Sequence, residues 1–465
     1  MSRLSTTLAA VCWLSISSPI WAAPVGPAEF TPSQNAQIRD LEQIRRSGEL
    51  RVLVNQSRNS SGEVKGQAIG VEAVRLRAFI QHLNQQGGAN QKKKISLRLI
   101  PKPKDQLLGA LQRGEGDMVA PGELLDASRM PQVVPSRSIV SQVPMVLVTG
   151  AQRASSLDRL SGQSLALSPG SAAGAALTRV NRQLISQKKS PVRVEWVDPS
   201  LAVEDVLEMV QAGIYPATLV EKTIAERWLK VMPKLRLGTE VRLDNLQDMH
   251  WFFRNDSGQL QASADQFLRD YRAPANQDAA FNQVYSGLYR VHQPLDSVGR
   301  ERLERVRPTL QRYADKHQMD WLGLAALAFK ESTLNPSARG ASGAVGLMQV
   351  TPSAARSVGV SGIHQLDNNV QASARYLADI RRKFFSSPKL NERERLAFTL
   401  AAYNLGPQRV QKLRDEAQRR GLNPNQWFFQ VERIAMETVG MGVVSYVNSV
   451  NKYFLAYARE RRALE

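Results

Sequence analysis

Two hydrophobic periods divide this chain, and the break between them constrains its fold more than any other feature. From residue 45 to 272, short apolar runs alternate with amphipathic stretches. "LEQIRRSGELRVLVNQ" reads as a short helix, a turn at Ser47-Gly48 and a strand around Leu50–Val54. "GVEAVRLRAFIQHLNQQG" has helical spacing, "KISLRLIP" reads as a strand, "DQLLGALQRGEGD" as a helix closed by glycine, and "MVAPG" as a short buried strand. The alternation continues through "SQVPMVLVTG", "VRVEWVD", "AVEDVLEMVQAG" and "DMHWFFRND". Strands that alternate with helices predict βαβ units and a mostly parallel sheet. The stretch 45–272 is long enough for two such lobes.

From about 296 the period changes. "LERVRPTLQRYADKHQ", "DWLGLAALAFKES", "NNVQASARYLADIRRKFF", "RERLAFTLAAYN" and "SYVNSVNKYFLAYARERR" all repeat with helical spacing, with almost no strand signal between them. "RAPANQDAAFN" and "VHQPLDSVG" supply the Pro, Gly and Asn of a boundary. The expectation is an α/β, two-lobed domain over 45–272, a linker over 273–296 and an all-α domain over 297–465.

Composition narrows the class. A chain of 465 residues, 43% hydrophobic and 22% charged, is soluble globular protein of more than one domain. Its formal net charge of +19 favours polyanionic surroundings: nucleic acid, an anionic membrane surface or an anionic cell-wall polymer. The N-terminus, "MSRLSTTLAAVCWLSISSPIWAAPVG", has Arg3, an apolar run and then small residues at Ala22 and Ala23, the layout of a signal peptide over 1–23. The alternative is an anchor helix, but the run is short, interrupted by Ser and Pro, and followed by no stop-transfer charges. Export sets nucleic acid aside as a partner. Cys12, the one cysteine, lies inside this segment, so the mature protein needs no disulfide. The residues before it, Ala-Ala-Val, make a poor lipoprotein signal. Five scattered histidines have no ligand spacing, so no metal and no cofactor are expected.

One acid stands out. Leu324, Leu327, Ala328 and Glu331 follow i, i+3, i+4, i+7, so Glu331 takes the next slot of an apolar stripe. Apolar surroundings and a helix C-terminus both disfavour a carboxylate, so its pKa should rise, as general-acid catalysis of a poor leaving group requires. The alternative is a partly exposed residue beside Lys330 at a fraying helix end. Gly340, Gly343 and Gly346 then make a loop whose backbone approaches a ligand closely. Met348 and Gln349 follow, and Tyr403 and Asn404 sit at a helix end before Gly406-Pro407. A ring beside an amide suits a sugar. Alone, "GLMQ" also reads as a turn packing a core Met, and "AYN" as an ordinary capped helix.

In this order on a helical domain, Glu331-Ser332, Gly346-Leu347-Met348-Gln349 and Ala402-Tyr403-Asn404 resemble the lytic transglycosylases with a soluble-lytic-transglycosylase, goose-lysozyme-like domain. The resemblance covers about 300–456. It implies cleavage of the MurNAc–GlcNAc β-1,4 bond of peptidoglycan, with Glu331 as single acid/base. It also implies that Ser332, Met348, Gln349, Tyr403, Asn404 and Tyr446 line the sugar cleft. The closing motif departs from the family, since "METVGMGVVSYVNSVNKYF" separates Glu437-Thr438 from Tyr446-Val447 by a longer stretch, and no role is carried to Glu437. No second acid stands in a comparable motif, with distant ones such as Asp367 left open. With one acid, the implied reaction is intramolecular: the substrate's N-acetyl group stabilises the cationic centre and the muramyl C6 hydroxyl closes a 1,6-anhydro ring.

"RSGELRVLV", "LLGALQRGEGDMVAPG", "DASRM" and "LSGQSLALSPGSAAGAAL" resemble the family 3 extracellular, periplasmic solute-binding domains over about 45–272. This likeness implies Arg129 as the grip for a ligand carboxylate, Ser171 as its helper and Glu221 as the partner of an ammonium group. The alternative is a scaffold with no ligand. A solute-binding domain joined to this catalytic domain is the arrangement of membrane-bound lytic transglycosylases. The expected partners are glycan strands, a small peptide or amino-acid-like ligand and an anionic membrane surface, in a periplasmic location at the outer membrane. The rival readings are a receptor that holds glycan without cutting it, and a hydrolysing muramidase.

Overall fold

The computed structural model describes residues 38–87, 93–150, 156–243 and 248–465. The expected signal peptide, with Cys12, lies outside the described residues. The first lobe is built on β1 (Glu49–Asn55), α1 (Val71–Gln86), β2 (Ser96–Lys102), β3 (Met118–Ala120) and β4 (Val133–Pro135). The second holds β5 (Met145–Thr149), β6 (Ser164–Leu167), α2 (Ala173–Ser186), β7 (Arg193–Trp196), α3 (Val203–Gln211), β8 (Ala217–Glu221), α4 (Lys222–Leu229) and β9 (Arg236–Val241). The chain then returns to the first lobe as β10 (Phe252–Arg254). The sheets run β2-β1-β3-β10-β4 and β9-β5-β8-β6-β7.

The mostly parallel expectation needs correcting. β1 is parallel to β2 and β3, and β6 is parallel to β7 and β8. However, β10 is antiparallel to β3 and β4, and β5 is antiparallel to β8 and β9. These antiparallel strands are the ones adjoining the passages between lobes. A strand arriving from the other lobe has no crossover helix to restore its direction. The two passages meet at an antiparallel bridge between Val140 and Met249.

The stretch 273–296 is also more than a linker. It contains α5 (Gln277–Tyr285), whose Phe281 and Tyr285 are fully buried against Trp228, with ring centroids 4.8 and 5.4 Å away. Beyond it come α6 (Ser297–Lys316), α7 (Trp321–Ser332), α8 (Leu366–Phe384), α9 (Glu392–Leu405), α10 (Pro407–Arg419) and α11 (Met441–Arg459). Among the described residues after 297, extended pairing is confined to isolated bridges, Arg339 with Val345 and Val345 with Val350.

One hydrophobic core joins the second lobe to the helical domain. Val206 and Val210 of α3, Trp228 of α4 and Phe281 of α5 pack in one continuous cluster with Leu327 of α7 and Val450 of α11. Charge crosses the same seam. Arg58 of the first lobe contacts Glu204 and Asp205 of α3, each at 3.2 Å. Lys452 of α11 reaches Asp205 at 2.7 Å and pairs with Glu208, which also accepts the Val291 N–H at 2.8 Å. All five residues are at most 4% exposed. Burial alone would push the Lys452 ammonium down. The Asp205 and Glu208 carboxylates outweigh it and hold the ammonium above its ordinary value.

Removing one member of such a set strands the others without water. Lys452→Met should therefore lower unfolding stability by about 3–5 kcal/mol in urea titration. Adding Glu208→Gln should recover part of that loss, because it removes a carboxylate left unpaired. A double variant no more stable than the single one would show that Glu208 and Lys452 are not coupled.

Candidate active site

The candidate acid ends a helix that its sequence starts and stops clearly. Asp320 caps α7 by accepting from Leu322 N–H at 3.0 Å. Thr333 and Leu334 then take φ of +52° and +59°, left-handed values that non-glycine residues seldom adopt. Arg302 pins this turn by donating to Thr333 O and Oγ1 at 3.0 and 3.2 Å. The Ser332 hydroxyl donates to Leu347 O at 2.7 Å and to Ala328 O at 3.1 Å, tying the helix end to the glycine loop. Ser332 thus holds the loop that the resemblance placed beside the sugar.

That loop closes on itself. Val345 and Val350 exchange two backbone hydrogen bonds of 3.1 Å, leaving Gly346-Leu347-Met348-Gln349 as the tight turn between them. Gln349 sits at φ +48° and donates from Nε2 to Gly346 O at 2.8 Å. Gly346 is at φ +77°, and a Cβ there would lie 2.4 Å from Asn369 Nδ2. Asn369 is the residue that sequence reading missed. From the first turns of α8 it accepts the Met348 N–H at 2.8 Å and donates to Val345 O and Ile363 O at 2.9 Å each. Met348 itself is fully buried, so its side chain packs in the core. The Tyr403 hydroxyl donates to Met348 O at 3.2 Å.

Glu331 meets its partner across the domain. Phe329 of α7 packs edge-on against Tyr453 of α11 at 4.7 Å, which sets the two helices side by side. About two turns earlier on α11, the Tyr446 hydroxyl donates to Glu331 Oε1 at 2.5 Å. Burial raises the Glu331 pKa, against the opposing pull of the Tyr446 hydrogen bond and the Lys330 charge. Neither of these two groups is a carboxylate. Tyr403 is itself pushed up, first by burial and then by its neighbours Glu331 and Tyr376. Glu331, Ser332, the Gly346–Gln349 loop, Tyr403 and Tyr446 therefore converge, with Asn404 exposed one residue beyond Tyr403. Asp367 bonds Arg312 and Tyr313, and Glu437 bonds Arg420, so both acids are engaged elsewhere.

The residues expected to hold a small ligand do not converge in the same way. Ser171 and Glu221 line a cavity of about 2320 Å³ between the lobes and the back of the helical domain; Arg129 is exposed and lies off its wall. Glu331 is not on that wall either, so the cavity and the candidate acid are separate places. Ser171 accepts the Ala173 N–H at 3.2 Å, and Glu221 is only 2% exposed.

Glu394 shows that a raised pKa alone does not mark the chemistry. Burial pushes it up to about 7, yet its carboxyl is spent on Trp427 N–H at 2.6 Å, where Phe429 takes φ +63°. Because the folded value exceeds the ordinary 4.5, its stabilisation is complete below about 4.5 and is lost as pH rises through about 7. Stability should fall between pH 5 and 8, and Glu394→Gln should flatten that slope in urea midpoints. For the loop, Asn369→Ala should cost about 1–3 kcal/mol for each buried backbone group left unpaired. Asn369→Asp keeps the acceptor for Met348 and should fall between Ala and wild type in the same titration.

The family model described as Transglycosylase SLT domain matches residues 308–425, which include α7, the glycine loop, α8 and α9. The chain is 25% identical over 423 residues to membrane-bound lytic murein transglycosylase F of Desulfosudis oleivorans, covering 88% of this chain and 87% of that protein. Among solved structures, an amino acid ABC transporter substrate-binding protein of Streptococcus pneumoniae bound to L-arginine is similar at 16% identity. It covers 52% of this chain and 96% of that chain, with a TM-score of 0.40. An ancestral arginine-binding protein matches at 18% identity, 51% and 97% coverage and a TM-score of 0.40. Residues 308–425 of the helical half match the Transglycosylase SLT domain, and the chain is similar over most of its length to a membrane-bound lytic murein transglycosylase F.

Proposed function

We propose that this chain is a peptidoglycan lytic transglycosylase that cuts the MurNAc–GlcNAc β-1,4 bond and leaves a 1,6-anhydroMurNAc end. The observation that carries the reading is the Glu331 carboxyl, half-buried, raised in proton affinity by that burial and met by the Tyr446 hydroxyl with no second carboxylate acting on it. A single acid has to serve both halves of the reaction. Glu331 gives its proton to the glycosidic oxygen as the C1–O4 bond breaks, and the substrate's N-acetyl oxygen stabilises C1. Glu331 then takes the proton of the C6 hydroxyl as the C1–O6 bond forms, which restores the enzyme. Tyr446 holds the carboxyl in place through both transfers. Ser332, Met348 and Gln349 present the loop, while Tyr403 and Asn404 take the sugar's apolar face and hydroxyls.

The two-lobed domain is proposed as a ligand-sensing regulator. Its α3 bears on α11, the helix that carries Tyr446, through the Asp205–Lys452 and Glu208–Lys452 contacts. A ligand acts on the site only by binding two arrangements of the lobes with different affinity. The proposed location is the periplasm, held peripherally at the outer membrane, in keeping with the N-terminal segment and the +19 charge. Among the described residues no helix is long and apolar enough to cross a membrane.

Purified sacculi treated with the protein should release muropeptides lighter by one water than hydrolysed ones, read by mass spectrometry. Glu331→Gln should lower that release by about 10³-fold or more with unchanged folding. Equal release from both proteins removes Glu331 from the chemistry, and products at the hydrolysed mass convert the enzyme to a muramidase.

A further inference from the structure

The cleft between the lobes already contains an ammonium group. β1, β3 and β8 end at the same cleft, the place where open α/β sheets present their strand termini to ligands. Asn55 closes β1 and donates from Nδ2 to Glu123 Oε1 at 2.6 Å. Glu123 follows β3. Glu221 closes β8 from the opposite lobe, and its Oε1 accepts the Leu124 N–H of the first lobe at 3.0 Å. Between the two carboxylates lies Lys104, carried on the turn after β2, with Nζ 2.8 Å from Glu123 Oε2 and 3.5 Å from Glu221 Oε1.

This arrangement is built, not incidental. Lys104, Glu123 and Glu221 are 6%, 5% and 2% exposed, so neither the charges nor their mutual attraction is screened by bulk water. Burial alone would lower the Lys104 pKa, but the two carboxylates raise it and keep the ammonium charged. All three side chains, with Asn55, sit on the wall of the 2320 Å³ cavity, so a soluble molecule has a way in. The Lys104 stem enters from the first lobe and its head contacts the second.

We propose that Glu123 and Glu221 form a primary-amine site between the lobes and that Lys104 fills it as a tethered ligand, clasping the lobes and excluding free amines. A soluble amine binds there only by displacing Lys104. The inference deepens the ligand-sensing reading by naming the ligand class and its built-in competitor. It is independent of glycan cleavage, because its test reads amine binding and leaves muropeptide release untouched.

The test uses the full chain and n-butylammonium, which reproduces the lysine stem and head. Wild type should show no saturable heat of binding and no thermal shift. Lys104→Ala should melt lower, bind n-butylammonium at least tenfold more tightly than wild type, and regain much of its lost melting temperature when saturated. Tetramethylammonium, which donates no hydrogen bond, should not restore it, and Lys104→Ala with Glu221→Gln should lose the rescue. Wild type that binds n-butylammonium as well as Lys104→Ala does, or a Lys104→Ala chain that melts normally without binding it, overturns the proposal. Should Lys104→Ala fail to fold, Glu221→Gln serves: hydrogen exchange at the Leu124 amide should quicken more than tenfold, and unchanged exchange overturns the clasp.

Discussion

Helix Val203–Gln211 carries three buried acids on adjacent turns, and the arrangement of the whole chain follows from how they are neutralised. Glu204 and Asp205 are met by Arg58 from the first lobe, while Asp205 and Glu208 are met by Lys452 from the helical domain. A carboxylate sealed from water is tolerated only where cations and N–H groups replace its hydration. The three modules therefore have to be assembled together before all of these acids are satisfied. The shared apolar cluster supplies the bulk of the contact, but it is indifferent to small slides. The ion set fixes the register, because each cation has two carboxylate partners at defined places.

The candidate acid depends on a second kind of constraint, stored backbone strain. Thr333, Leu334 and Gln349 all take left-handed φ values within a few residues of Glu331 or of the loop facing it. Such conformations persist only where surrounding bonds over-determine them. Here the bonds are those of Arg302 to Thr333, Ser332 to Leu347, and Asn369 to Val345 and Met348. The helix end is thereby stopped one residue after Glu331, so the carboxyl faces Tyr446 instead of continuing into a further turn.

What was legible in the sequence was local. The i, i+3, i+4, i+7 stripe placed Glu331 on an apolar face, and the change of period placed the boundary between sheet-bearing and helical halves. What was not legible was pairing across long separations. Asn369 stands 21 residues from the Met348 N–H it accepts, and nothing in "LDNNVQ" distinguishes it from a helix-capping asparagine. The 273–296 stretch, rich in turn residues, hides α5 because its Phe281 and Tyr285 gain their burial from Trp228, far back in the chain. Glu221 was expected to meet an ammonium group. It does, but the group is Lys104, whose approach depends on both lobes being folded.

The separation between the large cavity and Glu331 raises the question of how the lobes bear on the acid at all. Lys330 offers the electrostatic route. Burial lowers its pKa, while Glu331 and Glu208 both raise it. Glu208 belongs to the second lobe and Glu331 to α7, so one half-buried ammonium senses a carboxylate from each side of the seam. A shift of α3 that withdrew Glu208 would weaken what holds Lys330 charged. Lys330 is also one of the two groups that lower the Glu331 pKa, so a less charged Lys330 leaves the Glu331 proton more firmly held. This charge gives the proposed regulation a route from the lobes to the acid that needs no residue of theirs beside Glu331.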